Sequence, residues 1–304
     1  MTRASVSSTL DQSQQNQPQR KRPQRNPWRV LGRIILGLIC ASALTGIWWL
    51  ALMQPSHDRD WKPQLAVLPS GQIDGDILTL TNVRNIRYGE PGTPFEVGND
   101  TYDTREYDLR SLETLWLVVE PFAEWEASAH TLLSFGFADG DYLALSVEAR
   151  TEVGERFAAL DGLLNQFELI YVFADERDVI ERRTSYQQHD VYLYPIRVSP
   201  EVLRALLVDF VEEANAIVEQ PRFYNTFTST CTTNLIDTVN EVLPGTIPLH
   251  AARFLPGYAD DLLYNLELID AQGSFEEIKA RHNITARAQQ IPTDEDFSAW
   301  IRQF

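Results

Sequence analysis

Cysteine is scarce in this chain: there are two in 304 residues, and one of them, Cys40, lies in an apolar run near the N-terminus. The main part therefore holds one thiol, Cys231, and no internal disulfide can staple it. The five histidines show no metal-ligand spacing, and neither H-E-x-x-H nor C-x-x-C occurs, so no structural or catalytic metal is expected. The 15 glycines never form a phosphate-cradling loop, which leaves nucleotide cofactors without support. No carboxylate pair is placed for glycosidase chemistry. There is no internal repeat and no compositional break after residue 61.

Charge is present but unevenly divided. The net charge is -17, yet residues 1–33 carry seven basic side chains and one acidic one, leaving 19 basic and 42 acidic residues in the remainder. A body near -23 repels phosphate backbones, so nucleic acid is not an expected partner. The first 33 residues, rich in Gln, Ser, Asn, Pro and Arg, have too little to bury and are predicted to form a disordered basic cytoplasmic tail. Ile34 to Met53 contains no charge over twenty residues, enough for a helix to cross the hydrocarbon core. Arg29 and Arg33 precede it, and Asp58 and Asp60 follow. The positive-inside rule then keeps the tail in the cytoplasm and exports the rest of the chain. A cleaved signal peptide is the competing reading, with Ala41-Ser42-Ala43 imitating a cleavage site, but ten largely apolar residues follow it and an uncleaved anchor is preferred. Cys40, preceded by Leu38-Ile39, reads as a membrane-facing apolar residue.

Residues 54–68 read as a linker or loosely packed lead-in, and residues 69–304 as one α+β domain. Strands are predicted at 76–88, with an irregularity near Asn85, and at 112–120, 167–174 and 191–198, the last at an edge because of Pro195. Residues 155–166 read as a helix and 176–183 as a short helix crossing the surface. Ser199-Pro200-Glu201 opens a long helix to about Gln220, and another runs from Asp260 to Leu268.

Two stretches carry candidate chemistry. Ala129–Phe137 and Tyr142–Arg150 read as a hairpin turning at Asp139-Gly140, which brings His130 within about one position of Glu148. A carboxylate there can fix the tautomer and orientation of the imidazole; the same spacing also fits a polar strand face with decorative charge. Downstream, Thr228-Ser229-Thr230 offers N-caps for a helix whose apolar stripe includes Leu235, Ile236, Val239 and Val242, placing Cys231 in its first turn. There the unpaired N–H groups and the helix dipole favour thiolate, although a small buried cysteine can simply pack.

Six short motifs occur in order: Asn82-Val-Arg-Asn-Ile-Arg-Tyr88, Tyr107-Asp-Leu109, His130-Thr-Leu-Leu-Ser-Phe135, Leu145-Ser-Val-Glu-Ala-Arg150, Phe223-Tyr-Asn225 with Cys231-Thr-Thr233, and Leu255-Pro-Gly-Tyr258. Together they resemble the bacterial Lnb N-terminal periplasmic domain family over about residues 60–285. The resemblance implies a papain-like antiparallel sheet packed with helices, similar to circularly permuted NlpC-type thiol enzymes, in which the histidine strand precedes the nucleophile helix. It implies Cys231 as nucleophile, His130 as base and Glu148 as orienting residue with Ser146 behind it. Helix-start N–H groups, with Asn225, Tyr224 and Thr232, are the candidate oxyanion or supporting groups. The family's named member resembles a lipoprotein N-acyltransferase working through a thioester. The expectation is a single-pass inner-membrane protein with inner-membrane lipid as partner, and with a lipoprotein or peptidoglycan peptide and a separate membrane protein as candidate partners. A cysteine peptidase or amidase of envelope peptides, and a non-catalytic envelope-binding domain, stay open.

Overall fold

The computed structural model describes residues 27–292 and 295–304. Most of the predicted disordered tail, residues 1–26, lies outside the described residues. Two units form: Met1–Leu52 and Met53–Phe304. In the first, helix α1 (Pro27–Leu52) contains the apolar stretch Leu31–Trp49, 19 residues long. At about 1.5 Å per residue that stretch spans roughly 28 Å, close to the hydrocarbon thickness of a bilayer. Leu36, Ile39, Leu44 and Ile47 stand exposed on it.

The second unit is built on an eight-stranded sheet. After the short helix α2 (Pro63–Ala66) come β1 (Ser70–Asp74), β2 (Ile77–Arg84), β3 (Tyr102–Asp108), β4 (Leu112–Pro121), β5 (Ala129–Phe137) and β6 (Tyr142–Arg150). Helix α3 (Ala159–Leu163), strand β7 (Glu168–Asp175), helix α4 (Glu176–Glu181), strand β8 (Tyr192–Ile196), and helices α5 (Pro200–Glu219) and α6 (Cys231–Val242) follow. Helices α7 (Ala259–Asn265), α8 (Phe275–Arg281), α9 (Thr285–Gln289) and α10 (Phe297–Ile301) complete the unit. The strand order is β1-β2-β7-β6-β5-β4-β8, with β3 also paired to β2. Every pairing is antiparallel except the contact of β2 with β7.

Alternation along the central strands sends side chains to two cores. Leu133 and Phe135 of β5 and Leu145 of β6 join Leu206, Phe210 and Ile217 of α5 on one face. Leu132, Ala144 and Val172 join Val179 and Ile180 of α4, Ile284, Ala288 and Ile301 on the other. The sheet is thus the middle of three layers. The mixed fold with a mostly antiparallel sheet agrees with the sequence reading, as do the hairpin turn, with Gly140 at φ 94°, and the long helix, where Ser199 Oγ accepts from Val202 N–H.

Several elements depart from expectation. The irregularity in β2 falls between Leu80 and Val83 rather than at Asn85, because Asn82 takes φ 62° and its side-chain amide donates to Leu68 O at 2.9 Å. The helix expected over 155–166 shrinks to α3: Glu155 turns instead towards the lead-in, its carbonyl accepting from Lys62 Nζ at 2.6 Å. The lead-in is seated rather than loose, with Trp61 and Leu65 buried and Arg150 stacked over the Trp61 ring at 4.3 Å. The segment expected to cross the surface after β7 is largely internal. Helix α4 passes into a π-helical turn, Arg182–Tyr186, and buries Glu176, Asp178 and Arg183. Each of these charges has a partner: Arg302 for Glu176, Arg84 for Asp178 and Glu120 for Arg183.

Candidate active site

Cys231 is the first residue of α6, and the chain there is locked by its own caps. Thr230 Oγ1 accepts from Thr233 N–H at 3.1 Å, while Thr233 Oγ1 accepts from Thr230 N–H at 2.6 Å. This reciprocal pair satisfies two otherwise orphaned donors and fixes the angle at which the thiol leaves the helix. The loop before it is closed by two backbone hydrogen bonds between Asn225 and Ser229.

His130 enters from the start of β5 and shares a cavity of about 390 Å³ with Cys231. Burial pushes the Cys231 thiol up, but the charge of His130, a hydrogen bond from its side chain, the Thr131 backbone N–H and the Thr232 hydroxyl overcome that and bring it down to about 6. The helix start adds its dipole to the same effect. The His130 Nε2 lies 2.7 Å from Ser146 Oγ, and that hydroxyl donates to Glu148 Oε1 at 3.0 Å. Since the single Ser146 proton goes to Glu148, His130 Nε2 must carry the proton of its own bond. Its Nδ1 is then the basic nitrogen left for the thiol. Arg182 and Arg183 brace Glu148 from the π-helical turn, at 3.2 and 3.4 Å. Burial raises the Glu148 carboxyl, and these two arginines, with Arg84 and His130, bring it well below the usual carboxylate range.

The expected order is thereby reversed at one point. Glu148 was read as the direct orienting partner with Ser146 behind it, but Ser146 touches the imidazole and Glu148 holds Ser146. The register explains this: the paired part of the β5–β6 ladder ends at Leu132↔Ser146, two residues short of His130 and Glu148. The Thr232 hydroxyl lies 3.7 Å from Cys231 Sγ and 2.9 Å from Thr131 Oγ1. Tyr224 lines the thiol cavity, its hydroxyl raised by burial and by the nearby Cys231. Asn225 does not serve as expected. Its amide donates to Asn165 Oδ1 at 2.9 Å, and its carbonyl caps the Phe227 and Thr228 N–H groups. It shapes the loop before the cysteine and has no donor left for an oxyanion.

Residues that the sequence reading passed over complete the surroundings. Glu120 faces His130 across the β4–β5 ladder. Its carboxylate takes Arg183 Nε at 2.6 Å and His189 Nδ1 at 2.7 Å. Period-2 counting could have paired a β4 residue with His130 once the strands were known to be neighbours. The π-helical turn that brings Arg182 and Arg183 inward left no signal in the sequence. Pro256 also lines the cavity, and Gly257 beside it has no room for a side chain, since a Cβ there would fall 1.7 Å from Glu126 O. Among the described residues no group of three His, Cys, Asp or Glu side chains is arranged to hold a metal ion.

A second cavity, of about 350 Å³, lies against α6. Leu117, Leu133, Leu206, Leu235, Val239 and Leu262 line it, and its wall includes Thr131 and Thr232, the hydroxyl pair that reaches the thiol.

Fold and site together define a mixed α/β domain carrying a cysteine at a helix start beside a histidine on a preceding strand. The family model of the Lnb N-terminal periplasmic domain matches residues 99–257, and the chain belongs to that family. No curated protein and no solved structure matches the chain.

Proposed function

We propose that this chain is a membrane-anchored enzyme of the bacterial inner membrane that moves an acyl group through a thioester on Cys231. The observation that carries the reading is the thiol brought to about 6 in a cavity it shares with His130. His130 Nδ1 takes the Cys231 proton, leaving the thiolate. The thiolate attacks the acyl carbonyl of a donor, and the Cys231 backbone N–H at the free start of α6 faces the developing oxyanion. Collapse breaks the bond to the leaving group, which takes the His130 proton, and the acyl group stays on sulfur. Ser146 and Glu148 hold the ring through that exchange, and Thr232 keeps the sulfur in place.

An acyl donor fits better than a peptide because the apolar cavity against α6 gives a hydrocarbon chain a place beside the thiol. Apolar walls with few polar groups are the usual make-up of such sites. Inner-membrane lipid is the donor this implies, with a lipid-linked or envelope molecule, such as a lipoprotein or peptidoglycan peptide, as acceptor. Arg29 and Arg33 near the start of α1 support a cytoplasmic tail and a periplasmic catalytic unit, where tethering raises the effective concentration of membrane substrates. The histidine strand preceding the nucleophile helix is the chain order of permuted papain-like enzymes, and the layered architecture is compatible with that fold.

The test is intact-protein mass spectrometry of the full chain in phospholipid nanodiscs. An acyl adduct on Cys231, absent from Cys231→Ala, is the expected result. Cleavage of envelope peptides without any adduct would replace acyl transfer by peptidase chemistry.

A further inference from the structure

A second imidazole opens into the thiol cavity. His189 lies just before β8 and lines the same space as Cys231 and His130, with its side chain 29% exposed. Three features fix it there. Its Nδ1 is 2.7 Å from Glu120 Oε1, its backbone N–H donates to Arg183 O at 2.9 Å, and the preceding Gln188 is held at φ 60°. A non-glycine residue in that region is uncommon and costs conformational energy, and π-helical turns such as Arg182–Tyr186 cluster at functional sites.

The tautomer follows from the partners. Burial pushes the Glu120 carboxyl up, but Arg183, the His189 hydrogen bond and the charge of His130 hold it below its usual range. Glu120 is therefore an acceptor, and His189 Nδ1 carries the proton between them. The basic nitrogen of neutral His189 is Nε2, the one not engaged with Glu120. The charged and titratable groups that line the cavity with His189 are Glu120 from β4, His130 from β5, Glu148 from β6, Arg182 and Arg183 from the π-helical turn, and Lys62 from the lead-in, and Asp190 is next in sequence.

We infer that the Glu120–His189 pair is a second acid–base device, which takes a proton from an ammonium acceptor so that its amine can resolve the Cys231 thioester. The inference rests on the acyl-transfer reading above, with the amine acceptor that the family resemblance implies. The need for two bases is a matter of proton count. At neutral pH most of an α-amine, with a pKa of about 8, is an ammonium. His189 Nε2 removes one proton to give the free amine. The amine nitrogen attacks the thioester carbon, the C–N bond forms, and the C–S bond breaks with its electron pair going to sulfur. The second N–H proton goes to His130 Nδ1. The products are an amide, the Cys231 thiolate and two imidazoliums, and His189 returns its proton to solvent. Water as acceptor gives up only one proton in this step, so hydrolysis needs His130 alone.

The experiment uses the full chain in nanodiscs with p-nitrophenyl octanoate as donor and glycinamide as acceptor. Release of p-nitrophenol reports formation of the thioester. N-octanoylglycinamide and octanoate, quantified by mass spectrometry, report its resolution by amine and by water. In His189→Gln, with His189→Asn as a second variant, aminolysis falls about tenfold at pH 7, the share of free amine then being about a tenth. The loss shrinks as pH rises past 8, while hydrolysis of the thioester keeps its rate. Equal loss of both products, or aminolysis with an unshifted pH profile in two folded variants, would overturn the assignment and leave Glu120–His189 as a structural pair. Absence of any octanoyl adduct in the unsubstituted protein would instead remove the thioester reading, and this inference with it.

Discussion

Replacing His130 by Gln should abolish the low-pH reactivity of Cys231, and the structure sets the size of the effect. The thiol stands at about 6 against an ordinary value of 9. The charge and the hydrogen bond of His130 are the main causes opposing burial, so without them it returns to 9 or above. At pH 6 the ionised fraction then drops from about one half to about one thousandth, roughly 500-fold. Part of this is returned, because a more basic thiolate is the better nucleophile. With a Brønsted coefficient of about 0.45, three pH units give back roughly 20-fold. The net expectation is about a 25-fold slower reaction at pH 6. The assay is exchange with 4,4′-dithiodipyridine, followed by absorbance, in a Cys40→Ser background so that one thiol reports. The unsubstituted site should show a rate profile rising through pH 6 and levelling by about pH 7. A midpoint above pH 8, or an identical profile in His130→Gln, would refute the role of His130 in lowering the thiol. Linkage fixes the accompanying stability trend. The folded thiol titrates below the unfolded one, so the unfolded chain binds more protons between about pH 6 and 9. Stability from this group therefore rises with pH across that window and is lost as pH falls through 6.

Ser146→Ala should lower turnover of an acyl donor by 10-fold or more with little change in KM, since the ring loses its only fixed contact at Nε2 while the donor cavity is untouched. Asp178→Asn weakens the charge facing Arg84 in a pair that is 1% and 0% exposed; the expected loss is about 3–5 kcal/mol, read from the denaturant midpoint. Thr230→Ala removes the N-cap of α6 and should cost about 1 kcal/mol, with the thiol midpoint in the exchange assay moving upward. Val239→Trp fills the apolar cavity, so mass spectrometry should find a hexadecanoyl adduct on Cys231 lost while an acetyl adduct persists.

Much of this fold was legible because its signals are local. The β5–β6 hairpin was readable from two alternating runs around Asp139-Gly140, and the α5 start from Ser199-Pro200-Glu201. The cysteine at a helix start followed from a threonine-rich cap and a 3.6-residue apolar stripe. What escaped depends on contacts between distant segments. Arg84 with Asp178, and Glu120 with Arg183 and His189, are separated by tens of residues, and charged residues in a sequence read as surface until their partners are known. That is why Glu176 to Arg183 was assigned to the exterior. The Ser146–Glu148 exchange escaped for a finer reason. Period-2 counting places residues opposite one another, but it does not say where a ladder ends or which of two neighbouring polar groups a ring turns towards.

The sheet divides its labour between its faces, and the division explains where a thiolate can persist. The face under α5 and α6 is apolar, and Leu235 of α6 joins its core, which seats the helix whose first residue is Cys231. On the other side, Ser146, Glu148, Arg183 and Glu120 tie strands β4 and β6 to the turn after α4. An isolated imidazolium–thiolate pair in an apolar pocket would discharge by proton transfer, because burial penalises both ions. His130 instead stands beside two carboxylates that are themselves compensated by arginines. A proton that His130 takes from the thiol is stabilised there without a bare anion adjacent to the sulfur. Serine, rather than glutamate, at the imidazole contact sharpens this arrangement: a neutral hydroxyl fixes the ring's orientation while Glu148 acts one bond further away. Placing the carboxylate directly on Nε2 would make His130 a stronger base and hold its proton longer. In the proposed reaction, releasing that proton to the leaving group is the step that completes acylation.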